Sequence, residues 1–271
     1  MKKLFVSTFV IIISTSIIVL TKQLQSNNQP IFPKKIEIGE DITYVVKYLM
    51  FEIGEIRLKV TNQQISGNDT LYTAVAYIDS YQGIPFVDLH QIYETKFDTK
   101  QISHYFKGTI LSSDTTYTIY EFDRQKKIIH ILKGREGIHH KIWTDSITTY
   151  NHDYQDGLSL FYFARMRTGQ KKTVNVPCFI NEKYEKTYIN FYNEVEDRDI
   201  DAVDYDIATV KLDGETEFRG IFGLTGYFEG WFSDDNQAVP IVAKMQVIIG
   251  SITLELKEWK KKGWTPPKFK D

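Results

Sequence analysis

The chain of 271 residues carries 17 Tyr, 17 Phe and 4 Trp but a single Cys, and its formal net charge is −2. One cysteine cannot close an internal disulfide or supply a thiolate metal cluster, and 25% charged with 42% hydrophobic residues excludes a disordered, collagen-like or multi-pass membrane chain. A chain this long buries roughly three quarters of its unfolded surface, so it folds without disulfide staples.

Lys2 and Lys3 precede an uncharged run over residues 4–20, the arrangement of an export signal. Ser7, Thr8, Ser14, Thr15 and Ser16 weaken this run as a permanent span. A cleaved signal over residues 1–22 is the preferred expectation. An uncleaved N-terminal anchor is the alternative, because residues 21–29 hold no small-x-small cleavage pattern. No cysteine follows the run, which excludes a lipid-modified N-terminal Cys. Either way the body is expected outside the cytoplasm, in the periplasm or cell envelope. Without Lys2, Lys3 and Lys22 the remainder carries −5, too acidic for a nucleic-acid footprint.

From Ile42 onward β-branched and aromatic residues alternate with period two, and turn residues recur every eight to twelve positions. The first units are residues 42–48, 54–61 and 70–78, with a turn at Ser66-Gly67-Asn68-Asp69. Later turns are expected at Ser112-Ser113-Asp114, Arg124-Gln125-Lys126, residues 134–137, residues 181–183, Asp213-Gly214 and residues 234–236. Between them lie strand patterns over 117–122, 128–132, 184–192, 238–249 and 251–257. One segment breaks this rhythm. Asp156 is placed to cap a helix over about 157–168, with Gly169 as a left-handed C-cap. Apolar residues surround that helix on nearly every side, which predicts burial against or inside a curved sheet. The expectation is an all-β body, a single curved antiparallel sheet or barrel with one short buried helix. Its boundaries are 1–22 for the signal or anchor, 33–258 for the β-rich envelope domain and 259–271 for a basic aromatic tail.

Three blocks of this sequence resemble a bacterial family of exported proteins, the domain-of-unknown-function family numbered 3108. The first is Gly39-Glu40-Asp41-Ile42-Thr43-Tyr44-Val45-Val46-Lys47-Tyr48 with Ile53-Gly54-Glu55-Ile56, similar to the family's paired opening strands. The second is residues 156–165, Asp156-Gly157-Leu158-Ser159 onward, similar to its short D-x-L-S helix, with Gly157 where a proline is common. The third is Trp231-Phe232-Ser233-Asp234-Asp235, then Val239-Pro240-Ile241 and Gly250-Ser251-Ile252, similar to its closing strands. The resemblance implies an envelope location and a β-rich curved sheet. It implies no activity, so the matching positions Gly39, Glu40, Tyr44, Asp156, Leu158, Ser159, Trp231, Ser233, Asp235, Pro240 and Gly250 are expected to be structural.

The residues offer little chemistry. All six histidines fall between His90 and His152. The neighbours His139 and His140 would point to opposite faces of a strand, so a metal would need helpers such as His130, Asp145 or Asp153. No cofactor or metal is expected. The acidic run at residues 194–201 lacks calcium-loop spacing and reads as a solvated loop, while Asp234-Asp235 reads as a turn satisfying local amides. Cys178 sits among apolar neighbours and reads as a buried structural thiol. Asn68-Asp69-Thr70 fits a glycosylation tripeptide but reads as a turn. Residues 220–226 are glycine-rich without a following helix and read as a sheet bend, and there is no nucleophile elbow or phosphate loop.

Two features point toward a ligand. Along residues 184–192 one strand face carries Tyr184, Tyr188 and Tyr192 and the other Ile189 and Phe191, the composition of a sheet packed on both sides or lining an apolar groove. In the tail, lysines interleave with Trp259, Trp264 and Phe269, which suits either a solvated terminus or membrane-surface contact through Trp259 and Trp264. The sequence-level expectation is a non-enzymatic envelope protein binding a lipid, another amphiphile or an assembly partner. The alternatives are a hydrolase using clustered Asp and His residues such as Asp234, Asp235 and His140, or a structural docking module.

Overall fold

Period-two alternation with short turns has one economical outcome, a meander in which each strand pairs with the next. The computed structural model describes residues 34–270 apart from Asn68, Phe86, Ile221, Phe222 and Ile249. The expected signal or anchor at 1–22 lies outside the described residues, as does Asn68 of the glycosylation-like tripeptide. The first arm comprises β1 (Asp41–Tyr48), β2 (Phe51–Ser66), β3 (Asp69–Ser80), β4 (His90–Phe97), β5 (Ser103–Ile110), β6 (Thr116–Asp123), β7 (Ile128–Arg135) and β8 (Lys141–Thr149). After helix α1 (Ser159–Arg165) the second arm follows: β9 (Lys172–Ile180), β10 (Lys183–Arg198), β11 (Ile207–Thr216), β12 (Gly226–Ser233), β13 (Pro240–Gln246) and β14 (Ser251–Lys260).

These form one antiparallel sheet of 14 strands in the order β8-β7-β6-β5-β4-β3-β2-β1-β14-β13-β12-β11-β10-β9. The first and last strands pair with each other through Tyr44↔Leu256 and Val46↔Leu254, so the meander is cut between β8 and β9. The sheet does not close there. Residues between β8 and β9 stitch the gap instead. The Tyr150 amide donates to Lys127 O at 2.9 Å and the Ser103 amide to Tyr154 O at 3.3 Å. The Gln155 amide donates to Pro177 O, and the Phe179 amide to Gln155 O at 2.8 Å. The Tyr120 hydroxyl on β6 reaches Glu182 of the β9–β10 turn at 2.6 Å, so the sheet curls until its two arms meet. Covering the β9 edge in this way satisfies backbone groups that would otherwise template pairing with another chain.

The curvature defines inside and outside. On β14, Ile252, Leu254 and Leu256 face the core as the alternation predicts. On β10, Thr187, Ile189 and Phe191 are buried while Tyr184, Tyr188 and Tyr192 stay exposed. This strand therefore has a core face and an outer tyrosine face.

Several element boundaries differ from expectation. Asp213 and Gly214 lie inside β11, not in a turn. A Cβ on Gly214 would sit 2.2 Å from Tyr188 O and 2.5 Å from the Phe228 ring, so glycine there admits a close strand-to-ring approach. The acidic run is strand up to Arg198, with a register shift between Phe191 and Val195. The Trp231 indole donates to Glu196 at 3.0 Å. The 238–249 pattern yields only β13. Helix α1 is shorter than the expected 157–168 because its last turn tightens: the Met166 amide bonds Tyr162 O, but the Arg167 amide bonds Ala164 O. Gly169 then takes φ +79°, the left-handed conformation that ends the segment.

The tail is part of the fold. The expected boundary at 258 falls within β14, and the chain beyond packs back on the sheet. Trp264 is buried and stacks edge-on against Trp259 at 5.7 Å. The Ala208 amide donates to Pro267 O and the Phe269 amide to Asp206 O, each at 2.8 Å. Trp264, expected at a solvated end or a membrane surface, has no such surface, because its ring fills the core.

Candidate ligand cavity

Helix α1 is held at both ends by groups that burial makes obligatory. At its start the Asp156 carboxylate, fully buried, accepts the Leu158 and Ser159 amides at 2.8 and 2.9 Å. It also accepts the Thr95 hydroxyl of β4 at 2.6 Å and the Ser103 hydroxyl of β5 at 2.5 Å. The Ser159 hydroxyl in turn accepts the Asp156 amide at 2.9 Å, a reciprocal box that satisfies the orphan donors of the first turn. Burial pushes the Asp156 carboxyl up, and its four donors oppose that shift. The D-x-L-S pattern is thus a fastening of the helix to the first arm, with Leu158 packed in the central core.

At its end, Arg165 is buried to 1% exposure and makes a bidentate pair with the equally buried Glu40, one arm at 2.7 Å. The same guanidinium donates to Gln237 O at 2.8 and 3.1 Å. Lys261 adds a bond to Glu40 at 2.8 Å and an ion pair to Glu37 at 3.1 Å. Burial alone would raise the Glu40 pKa, but Arg165 and Lys261 outweigh it and hold the carboxyl below its usual range. Lys35 also pairs with Glu37, so three cations face two carboxylates. The cluster ties the residues preceding β1, the helix, the β12–β13 connection and the tail into one strut. Sequence reasoning placed Glu40 among family positions and missed its partners. A lone Arg in an otherwise apolar helix was the readable signal for Arg165. Lys261 had none, because it sits in a run of three lysines.

Between this helix and the strands of β1, β2 and β10 to β14 lies an apolar cavity of about 130 Å3. Its walls include Ile56, Leu58, Leu160, Phe161, Leu212 and Phe228, together with Pro240 and Tyr44. Glu229, the charged residue at its border, pairs with Lys211 at 2.8 Å. The hydroxyl of Tyr44 is buried and has no hydrogen-bond partner among the described residues, and burial pushes its pKa well up. A second groove of about 170 Å3 adjoins, sharing Gly157 and Gly220 with the first. Its lining mixes Tyr93, Phe106 and Phe179 with Lys133, Glu182 and Arg219.

The remaining family positions hold the walls. Gly39 turns the chain into β1 at φ +82°, and its amide donates to Val60 O. Ser233 and Asp235 organise the β12–β13 connection. Asp235 accepts the Ser233 hydroxyl and the Gln237 and Ala238 amides at 2.8 to 3.0 Å, and also the Trp264 indole. Trp231 is buried under the cations of Arg198, Lys211 and Lys244, 4.2 to 5.5 Å from the ring centre. Gly250 turns β13 into β14 at φ +79°.

The other candidates for chemistry do not converge. Among the described residues, no three His, Cys, Asp or Glu side chains are placed to hold a metal ion. His130 bonds Asp145 at 2.7 Å and Glu121 at 3.2 Å on the outer face. His139 and His140 lie in the β7–β8 turn. Asp235 is taken up by its bonds to Ser233, Gln237, Ala238 and Trp264. Cys178 is fully buried and burial pushes its thiol up, the condition of an inert thiol.

A curled, open antiparallel meander with one helix set against an apolar cavity defines a barrel-like β protein. The chain belongs to the family described as "Protein of unknown function (DUF3108)", whose model matches residues 43–257. Among solved structures it is similar to the β-barrel-like DUF1849 protein of Brucella abortus. That match has 8% identity and a TM-score of 0.47, and covers 82% of this chain and 96% of that one. A candidate lipoprotein of Parabacteroides distasonis ATCC 8503 is also similar, at 11% identity and a TM-score of 0.35, covering 84% of this chain and 97% of that one. No curated protein matches the chain.

Proposed function

We propose that this is an exported envelope protein that binds an amphiphile without transforming it, seating the apolar part in the cavity beside α1. The cavity itself carries the reading. A void of about 130 Å3 walled by Leu160, Phe161, Leu212 and Phe228 is close to the engineered apolar cavity of about 150 Å3 that stays dry and takes benzene. It falls well below the roughly 300–1,000 Å3 that accommodates a whole drug-sized ligand. The occupant is therefore one ring or a short alkyl stretch of a larger molecule. The adjoining groove with Lys133, Glu182 and Arg219 suits the polar remainder. The export signal read at residues 1–22 supports the location, and the shortage of converging acid, base or nucleophile groups near the cavity favours binding over hydrolysis.

The test is native mass spectrometry and solvent extraction of the protein purified from its own host. A co-purifying amphiphile is expected, lost when Ala243 at the cavity wall is replaced by Leu. Protein that is ligand-free from its host and unresponsive to added amphiphiles overturns the reading.

A further inference from the structure

In an antiparallel meander every second turn falls at the same end of the sheet, and here the odd-numbered strands all run one way. The turns that follow β1, β5, β7 and β13 therefore share an end. Their tips hold large apolar side chains in water: Leu49 and Met50, 80% and 84% exposed, with Leu111, Ile138 and Ile248 from the other three. The opposite end has charged turns instead, Asp98-Thr99-Lys100 after β4 and Arg124-Gln125-Lys126-Lys127 after β6, with Ile38 and Ile65 as exposed apolar exceptions. Single exposed apolar residues are ordinary on a protein surface; their collection at one end of a sheet marks a contact.

The β1–β2 turn is the least economical of these tips. Tyr48 pairs with Phe51, so Leu49 and Met50 are the whole loop. Leu49 takes φ +54°, a conformation that glycine or asparagine adopts at lower cost. A leucine that strains its own backbone and packs on almost nothing adds no stability to the fold. Its use lies outside the molecule.

We infer that this end of the sheet docks on a lipid bilayer, its turn tips entering the interface while the strands stand in water. The apolar groups arrive singly or in pairs from separate hairpins, beside polar turn residues such as Ser112-Ser113 and His139-His140. They form no continuous wall for a protein partner to cover, whereas a fluid interface accommodates separated side chains. Insertion is shallow, because the backbone of a turn needs water or headgroups for its hydrogen bonds and cannot enter the hydrocarbon. The side chains reach the boundary between headgroups and acyl chains. The loop after β11 lies at the same end. Its Phe218, Gly220 and Leu224 line the apolar cavity, and its Arg219 and Gly220 line the adjoining groove. The end that meets lipid is thus the end whose turns border both spaces, and a bilayer is where an amphiphile is held. That choice of occupant rests on the proposed amphiphile binding; the exposed tips stand without it.

The test is local burial of the tips. Cys178 is fully buried, so a cysteine placed on the surface of the full chain takes an environment-sensitive fluorophore alone. Labels on Met50→Cys and Ile248→Cys are compared with one on Ile65→Cys as phosphatidylcholine vesicles are added. A blue shift of emission, with quenching by lipids brominated near the headgroup, is expected at positions 50 and 248 and not at 65. An anchor at residues 1–22 would tether the chain without shifting either tip. Leu49→Asn, which suits the backbone there, should weaken the response at position 248 and melt no lower than the wild type. Unshifted labels at 50 and 248, an equal shift at 65, or a lower melting temperature in Leu49→Asn overturns the inference. A shift at position 50 that grows with protein concentration before any vesicle is added gives this end to a second copy of the chain, and overturns it too. None of these outcomes depends on what occupies the cavity, so the amphiphile reading stands or falls separately.

Discussion

The curled sheet finishes its two inner surfaces in different ways. On the β5–β7 side, rings follow one another closely. Phe106 stacks on Tyr120 at 5.4 Å, Phe179 meets Tyr120 edge-on at 5.0 Å, and Phe122 meets Phe179 at 6.2 Å. On the other side of α1 the wall is made of aliphatic residues and separate phenylalanines, and a void remains. Both belong to one sheet with one alternation. Neither side is closed: the rings border a groove of about 170 Å3 that also takes in Lys133, Glu182 and Arg219, while the aliphatic side borders a cavity of about 130 Å3 with Glu229 at its rim. The polarity of the lining, not the presence of space, separates the two sides.

The strut between the two surfaces gives the largest expected effect. Arg165→Ala leaves Glu40 buried with only Lys261 for company and should cost about 3–5 kcal/mol of unfolding free energy, read as a lower denaturation midpoint. Replacing the pair together, Arg165→Met with Glu40→Leu, should recover most of that loss, because the uncompensated charge is gone. The same cluster sets the acid limit. The Glu40 pKa lies below its unfolded value, and Glu37, held by Lys35 and Lys261 against a smaller desolvation effect, is lowered to about 2. A depressed carboxylate contributes stability that is present above its unfolded pKa of about 4.3 and lost as pH falls through the folded one. The melting temperature should therefore hold from neutrality to about pH 4.3 and drop steeply toward pH 2, and the double variant should flatten part of that drop.

Next come paired deletions across the helix. Phe179→Ala, in the ring cluster and fully buried, should cost about 3–4 kcal/mol, because both transfer and cavity costs apply. Phe161→Ala, half-buried beside an existing void, should cost about 1–2 kcal/mol. Equal losses in chemical denaturation would mean that the void is closed in solution.

The division between the two surfaces was only partly legible in the sequence. Alternation in 251–257 and 184–192 announced strands, and Asp156 followed by an apolar run announced the helix, because both signals are local. The cyclic pairing of β1 with β14 was not visible, since antiparallel partners so far apart leave no mark on spacing. Asp213-Gly214 looked like a turn because its conformational freedom reads the same as its other use, admitting the Phe228 ring. The tail looked solvated because lysines dominate it, yet Lys261 and Trp264 are buried by partners, Glu40 and Asp235, that lie far away in the chain. Tyr44 was legible as a family position, but its unpaired hydroxyl depends on what fails to reach it. Only the fold decides that.

The smallest effect lies on the outside of the first arm. His130 bonds Asp145 and Glu121 across β6, β7 and β8, and these two acids raise its pKa against a small desolvation effect. A raised histidine pKa contributes stability that is fully present below the unfolded value of about 6.5 and lost as pH rises through the folded value. Its side chain is 36% exposed, so solvent screening limits this to about 0.5 kcal/mol or less. A slight decline in melting temperature above pH 6.5 should vanish in His130→Asn and shrink in high salt. The geometry resembles that of Glu40, with one titrating group between two opposite charges, yet the expected effect is several times smaller. Water reaches His130 and does not reach Glu40. A large salt-insensitive step at His130 would show that the β8 edge is covered in solution, placing a second apolar interface on the arm that the sheet leaves exposed at Ile142, Trp143 and Ile147.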